Sequence, residues 1–298
     1  MTSASRASTA LHAPPAAKPR NPLQRIDPRW YSSSLLTVIL VIGHWKFHIL
    51  GDSYVPWLVA LGTAIGTEIV LFRFLRGGAP NLLSAYISGN SVAFLVKPDG
   101  VLIWPFLMGA LLSITSKYVL NFEKRHLWNP TNFGVCVLLA LASHRVSILG
   151  HQWGNHLGMV AIIWAIGLLT VWRARVLHIT LAYLASFVLF AGVRSAITGQ
   201  PLGGEIAPVT GPMYQLFMFF MVTDPRTLVS GKRKQLLVVF LVAAAECAIR
   251  LAADTDILSA SNPMRTAPPM FALFLVGPAA LFLELYEKRR AVVAARAS

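Results

Sequence analysis

Three acidic side chains lie inside or just after apolar stretches, where an ionised group is costly and suggests a function. Glu68 and Glu246 are inside apolar segments, and Asp224 follows one. If such a segment crosses a membrane, an ionisable group in it is a candidate for moving an ion or a proton. Glu246 has Arg250 four residues further on, the spacing of a helical ion pair, which favours a structural role. Glu68 has no such neighbour and is the better candidate for an ion pathway.

The apolar run Met213–Val222 precedes Asp224 and is too short to cross a bilayer, which takes about 20 helical residues. Gly211 and Pro212 interrupt it before, and Asp224 and Pro225 interrupt it after. A short, broken helix persists in a membrane only where protein or a water-filled cavity meets its freed backbone groups. The run is therefore a candidate binding site.

The side chains of this run each allow two interpretations. Asp224 suits a ring N–H or a cation in the break, or it pairs with Arg226 or Lys232 at the membrane boundary. Met213 and Tyr214 suit the face of an aromatic ligand, but such side chains also serve plain helix packing. The need to satisfy the break favours a functional role for Asp224.

A weaker counterpart of this run occurs earlier in the chain. Ile87–Pro98 also opens with a small glycine-containing turn, runs apolar and stops at a charge followed by proline. Each run is followed by a long apolar segment and an Asn-Pro turn, at Asn129 and at Asn262. Paired broken segments in two halves of a chain predict a transporter-like binding site between them. Asn129 and Asn132 then either cap a helix or contact a ligand.

Five histidines fall on one side of the predicted membrane topology: His44, His48, His144, His151 and His156. Together they could bind a haem or a metal, but histidines at an interface are more often simply solvated. No metal site is predicted. The sequence contains no phosphate-binding glycine loop, nucleophile elbow or H-E-x-x-H motif.

Composition identifies the class of protein that carries these residues. Of 298 residues, 55% are hydrophobic and 13% are charged, about half the charged share of a soluble domain. The chain is therefore predicted to be an integral membrane protein in contact with a lipid bilayer. Its formal charge of +14 is explained by residues that flank spans and does not predict nucleic-acid binding. Cys136 and Cys247 lie in apolar runs, which argues against a disulfide framework or an iron–sulfur site.

The predicted fold is an all-α polytopic membrane protein of about ten transmembrane segments, the third and eighth of them short and broken. With the N-terminus cytoplasmic, 20 of the 26 Lys and Arg residues fall on the cytoplasmic side, so both termini are placed there. Five segments in each half make the two repeats inverted. The segments are Trp30–Leu50, Val55–Leu75, Leu83–Val96, Val101–Leu120, Pro130–Ala142, Leu157–Trp172, Val176–Ile197, Met213–Val222, Leu236–Ala252 and Pro269–Tyr286.

Four regions follow from this pattern. Residues 1–29 form a disordered basic cytoplasmic arm, rich in Ala, Ser and Pro. Residues 30–146 and 147–287 are the first and second membrane repeats, and 288–298 is a basic cytoplasmic tail. The arm has no apolar core of a secretory signal, and a bacterial-type inner (plasma) membrane is the predicted location.

Two motifs resemble a known family. GPMYQLFMFFMVTDPRT resembles the segment ending in a T-D-P turn of the D subunit of the Rnf electron-transport complex, whose relative is the B subunit of the sodium-pumping NADH:quinone reductase. HLWNPTNFGVCVLLA resembles the family's Asn-Pro turn before its fifth helix. Together with the ten-helix layout, the resemblance covers roughly residues 30–286. It implies membrane-bound flavin and electron transfer, possible coupling to ion movement, and a site that includes Thr223, Asp224, Asn129 and Asn132.

One departure from the family concerns how a flavin is held. Members with covalent flavin mononucleotide attach it to the Thr of an S-G-A-T motif, whereas this chain reads Thr210-Gly211-Pro212-Met213-Tyr214. The attachment position falls near Tyr214, a poor substitute for Thr. A flavin, as FMN or riboflavin, is therefore expected to bind non-covalently. It would lie at the start of the short helix, where free N–H groups suit a phosphate and Arg194 adds a contact.

The resemblance leaves the partners and the reaction open. The chain shows no segment for an NADH domain, so other redox subunits or a membrane electron-transfer partner are expected to supply electrons. Stand-alone relatives occur beside enediyne-type biosynthetic genes, so the partners need not form an Rnf complex, and whether the chain is part of an oxidoreductase stays open. The alternative function is a small-solute transporter or channel with urea-transporter-like inverted repeats.

Overall fold

The computed structural model describes residues 29–123, 125–148 and 157–297. The predicted N-terminal arm lies outside these residues apart from its last position, and so do His151 and His156.

Helices make up most of this described chain. In the first half they are α1 (Arg29–Phe47), α2 (Val55–Leu75), α3 (Leu83–Leu95), α4 (Trp104–Val119) and α5 (Pro130–Ala142). In the second half they are α6 (Leu157–Arg173), α7 (Leu177–Thr198), α8 (Leu202–Ile206), α9 (Pro212–Leu216), α10 (Lys232–Asp254), α11 (Pro263–Thr266) and α12 (Pro268–Ala297). A 3₁₀ turn, Ala207–Thr210, precedes α9, and a π-helical turn, Phe217–Met221, follows it.

Within the residues that the structure describes, four helices are long and apolar enough to cross a membrane: Val55–Leu75, Leu177–Thr198, Lys232–Asp254 and Pro268–Ala294 of α12. The molecule thus has the architecture of an all-α membrane protein, as predicted. The number of ten spans and their inverted orientation stay predictions. The bounds of α2 and α5 match the predicted segments, whereas α12 continues through the predicted basic tail.

The two predicted short helices are both present. α3 has 13 residues and ends where Val96 becomes extended, at ψ 124°. α9 and the π-helical turn have five residues each and are bounded by the extended Gly211 and by the turn at Asp224. Pro212 occupies the first helical position, where its missing N–H costs nothing. The π-helical turn shows in the bond from Val222 N–H to Phe217 O, five residues back, at 3.0 Å.

Short strands tie the loops together in two antiparallel pairs. β1 (Val96–Pro98) pairs with β4 (Val146–Ile148), joining the end of α3 to the segment after α5. β2 (Asn121–Phe122) and β3 (Arg125–His126) form a small hairpin between α4 and α5. This hairpin places His126 and Asn129 beside the second half of the chain.

Helix packing follows a similar order in both halves. α2 packs on α4 and α4 on α5, while α7 packs on α10 and α10 on α12. Glycines permit the closest approaches: a Cβ on Gly134 would lie 2.2 Å from Ser113 Oγ, and one on Gly89 would lie 2.9 Å from Leu61 Cα. Small residues at helix contacts are typical of membrane bundles, where van der Waals packing drives association.

Candidate functional site

A cavity of about 460 Å³ lies where the two short helices meet the loops between α4 and α5 and after the π-helical turn. This volume is within the range of small-molecule and cofactor sites. Residues of both halves line it, mixing apolar walls with hydroxyl, amide and charged groups. The lining comprises Ser84, Ile87, Ser88, His126, Asn129, Pro130, Thr131, Thr170, Val171, Ala174, Val176, Phe219, Phe220, Thr223, Asp224, Pro225 and Arg226.

Both short helices contribute side chains to the wall of this cavity. α3 presents Ser84, Ile87 and Ser88, one helical turn of small and apolar side chains. The π-helical turn presents Phe219 and Phe220, whose rings are 6.3 Å apart at an interplanar angle of 61°. The apolar rings and the polar turn of α3 together suit a flat ligand with hydrogen-bonding edges.

Asn129 joins the Asn-Pro turn to the T-D-P turn. Its Oδ1 accepts a bond from Asn132 N–H at 3.1 Å and so caps α5. Its Nδ2 donates to Asp224 Oδ2 at 3.0 Å, across 95 residues of chain. Asn129 therefore fulfils the predicted capping role and also faces the cavity. Asn132 is buried, and its amide donates to Met270 O at 2.9 Å, away from the cavity lining.

The T-D-P turn is held by its own backbone and by the first half of the chain. Asp224 Oδ1 accepts a bond from Arg226 N–H at 3.1 Å, and Asp224 O accepts bonds from Thr227 and Leu228 N–H groups. The Arg125 guanidinium donates to Arg226 O at 2.9 Å and to Leu228 O at 2.6 Å. These bonds fix the carboxylate of Asp224 at the cavity wall.

His126 is the buried imidazole of this wall. Its Nδ1 lies 3.0 Å from Asn121 Oδ1, and its Nε2 lies 3.2 Å from Arg226 Nη1. Because a guanidinium only donates, Nε2 accepts and Nδ1–H donates, which is the pattern of a neutral ring. Burial, with Arg226 and Lys117 nearby, lowers the pKa of His126 to about 4. The ring is therefore uncharged at neutral pH.

The other end of the short helix has a different polar cluster, which is closed. Tyr214 donates to Glu246 and contacts Arg250, and Tyr183 donates to Glu246 Oε2 at 2.6 Å. The predicted pair of Glu246 and Arg250 is confirmed at 3.0 Å. Tyr183, Tyr214 and Glu246 are buried, and their polar atoms bond one another.

The remaining residues predicted at the start of this helix do not line the cavity. Thr210 is exposed and donates to Ala207 O at 2.7 Å, while Gly211 N–H donates to Pro208 O. Met213 is buried in the main hydrophobic cluster. Arg194 is buried and donates to Glu205 Oε2 at 2.7 Å. Of the predicted binding residues, the structure brings Asn129, Thr223 and Asp224 together at the cavity.

Glu68 has a partner that sequence spacing did not reveal. Its Oε2 lies 2.5 Å from Lys117 Nζ, and its Oε1 accepts a bond from Tyr118 at 3.0 Å. Both members of the ion pair are buried, on α2 and α4. The pair satisfies a charge in the apolar interior, and its role in an ion pathway stays a prediction.

The histidines form no metal centre within the described part of the chain, where no group of three His, Cys, Asp or Glu side chains could hold a metal. His44 is buried against Tyr54, with ring centroids 4.1 Å apart. His144 is exposed.

Comparison with known proteins finds no matching family model and no significantly similar curated protein.

His126 and Arg226 are the functional candidates that sequence reasoning missed. His126 stands three residues before Asn129 in the Asn-Pro motif, and Arg226 follows the T-D-P triplet. The sequence signal for both residues was that each lies beside one of the two motifs, the Asn-Pro turn or the T-D-P turn. Their contact joins positions 100 residues apart, which no local pattern indicates.

Proposed function

We propose that the chain is an integral membrane electron-transfer subunit that binds a flavin non-covalently in the cavity between the two short helices. The observation that carries the proposal is the 3.0 Å bond between Asn129 and Asp224. It joins the two motifs that resemble the Rnf D subunit at the wall of one cavity. The bond supports the proposal because it brings the two motifs within reach of one ligand.

The lining residues fit a flavin by their chemistry. Phe219 and Phe220 offer aromatic surface to a ring system, and aromatic contacts of this kind favour offset or edge-on packing. Asn129, Thr223 and Asp224 offer hydrogen bonds to the ring edge, where a flavin has both N–H and carbonyl groups. A bound flavin would supply transfer of one or two electrons, and these side chains would bind and orient it.

The proposal includes the setting in which the subunit works. The chain lies in a bacterial-type inner membrane with both termini cytoplasmic, and its two halves form inverted repeats. Electrons come from and go to partner redox proteins. The similar packing order of the helices in both halves supports this arrangement.

An absorbance spectrum of the purified protein tests the proposal. We expect flavin bands in the wild type and their loss in Ala174→Trp, which places a large ring at the cavity wall. Ala174 is exposed at the end of α6, so the change should leave the fold intact. Ala161→Trp on α6 is the matched control, since Ala161 is exposed, as Ala174 is just after the helix, and does not line the cavity.

The same cavity supports a second candidate, a small-solute transporter or channel. The favouring observation is its position between short helices of both halves, where such proteins bind their solutes. A colourless wild-type protein that moves solute into liposomes, with Ala174→Trp blocking the movement, would support this candidate and overturn the flavin proposal.

A further inference from the structure

We propose that His126 takes up a proton when negative charge enters the cavity, and that Arg226 is the side chain that moves to allow it. The inference rests on the proposed function, because the charge is that of an electron delivered to a bound flavin. It assigns His126 and Arg226 a role in balancing charge, in addition to lining the cavity.

The hydrogen bonds of His126 define what must change. Nδ1–H donates to Asn121 Oδ1 at 3.0 Å, so Nε2 is the atom that can accept a proton. At present Arg226 Nη1, 3.2 Å from Nε2, donates a hydrogen bond to the lone pair of that nitrogen. Arg226 is an exposed side chain at the cavity lining, and we infer that its guanidinium turns from the imidazole toward the cavity.

The charges around His126 explain why it is neutral before this step. Arg226 from the T-D-P turn, Lys117 from α4 and Arg76 after α2 all face it with positive charge. Burial acts in the same direction and is the largest cause of the lowered pKa. Glu68 offsets Lys117, and Asp224 is the carboxylate at the cavity wall.

An electron in the cavity reverses this balance. A negative charge within about 4–6 Å of a group raises its pKa by about 1–3, which brings His126 from about 4 toward the neutral range. The guanidinium of Arg226 is drawn to the new charge and uncovers Nε2. The electron comes from a protein-borne donor, which loses one electron. One proton from bulk water binds Nε2 of His126. The net charge of the cavity is unchanged.

The test measures the midpoint potential of the bound flavin between pH 5 and pH 8 by spectroelectrochemical titration. We expect the potential of the wild type to fall more steeply with pH than that of His126→Gln. The two slopes should differ by up to one proton per electron. For a one-electron couple this is about 59 mV per pH unit, which corresponds to a tenfold change in the reduction equilibrium per pH unit. A pH-indicator dye in weak buffer should also show less proton uptake on reduction of His126→Gln.

His178→Gln is the matched control, because His178 bonds Gln235 at 2.8 Å and does not line the cavity. It should retain the wild-type slope. Flavin bands with equal slopes in wild type and His126→Gln would overturn the inference and leave the proposed function standing. Absence of flavin from the wild type would overturn both.

A second variant tests proton uptake by His126 if His126→Gln loses its flavin. Arg226→Gln keeps His126 and removes one of the positive charges that lower its pKa, after burial the largest cause. Proton uptake on reduction should then extend to higher pH than in the wild type. An unchanged pH range for proton uptake would contradict the inference.

Discussion

The two ends of the short helix Pro212–Met221 use polar side chains in opposite ways. At its start, Tyr214 bonds Glu246 and Arg250 in a buried cluster whose members satisfy one another. After its end, Asp224 and Arg226 lie at the wall of a cavity of about 460 Å³. Both ends contain ionisable groups, but only the second presents them to open space.

This difference distinguishes polar groups that bond one another from polar groups that line a cavity. A buried charge that is fully paired fixes packing, whereas polar groups beside a cavity remain available to a ligand. The sequence predicted ligand contacts at both ends of the helix, at its start through Thr210, Tyr214 and Arg194 and after its end through Thr223 and Asp224. Thr223 and Asp224 line the cavity, whereas the residues predicted at the start do not.

The largest effect is expected from breaking the closed cluster. Glu246→Ala removes the carboxylate that pairs with Arg250 and accepts bonds from Tyr183 and Tyr214. Removing one partner of a buried ion pair costs about 3–5 kcal/mol of folding stability. Unfolding in detergent, followed by circular dichroism, should show this loss. Glu287→Ala, at an exposed position of α12, should be close to wild type. Equal stability of both variants would show that the cluster is dispensable.

A pH dependence of stability is expected at the cavity end. The pKa of His126 is about 4 in the folded protein and about 6.5 when unfolded, so the unfolded chain binds more protons between these values. Stability is complete above about pH 6.5 and decreases by up to about 3 kcal/mol as the pH falls to 4.

Unfolding at several pH values measures this effect. His126→Gln should show a flatter acidic dependence, and His178→Gln should retain the dependence of the wild type. A wild-type stability that stays level from pH 6.5 to pH 4 would refute the assignment of a neutral, buried imidazole.

A smaller effect is expected at the Asn-Pro turns, which the two halves share. Asn129 caps α5 and Asn262 caps α11, so each change to Ala should cost about 1 kcal/mol of stability. Only Asn129 also bonds Asp224, so Asn129→Ala alone should weaken flavin binding, by about tenfold. Titration of flavin fluorescence measures the affinity. Equal weakening by Asn262→Ala would mean that the cap and not the Asp224 bond matters.

The smallest effect is expected at Thr210. Its exposed hydroxyl bonds Ala207 O and does not line the cavity, so Thr210→Ala should leave flavin binding unchanged. Flavin should leave the protein on denaturation, and a denaturing gel under ultraviolet light should be dark at 32.5 kDa. A fluorescent band at that mass, lost in Thr210→Ala, would show covalent attachment at Thr210 and place the ligand at the start of the helix.

Much of the helical layout was predictable from the sequence, because apolar runs and prolines act locally. α2 and α5 begin and end where hydropathy predicts, and Asn129 caps α5 as its position before Pro130 indicates. The i,i+4 pair of Glu246 and Arg250 follows from helical spacing alone. The extension of α12 beyond Tyr286 was missed, since its charged residues were read as a tail.

The candidate site was less predictable, because its contacts join distant parts of the chain. Glu68 meets Lys117 across 49 residues, and Asn129 meets Asp224 across 95. Such pairs depend on how helices pack, which composition and periodicity do not specify. Motifs located the turns, but only tertiary structure separates the side chains that face the cavity from those that bond each other.

The π-helical turn Phe217–Met221 behaves as a one-residue insertion in an otherwise α-helical stretch. Each residue of an α-helix advances its side chain by about 100° around the axis. Loss of a single residue from this turn would therefore restore a regular α-helical turn and leave Thr223 and Asp224 near their present orientation relative to Tyr214, whereas one further inserted residue would rotate them by about 100°. A single-codon insertion here would leave the hydropathy profile of the chain almost unaltered while turning the T-D-P side chains away from the cavity.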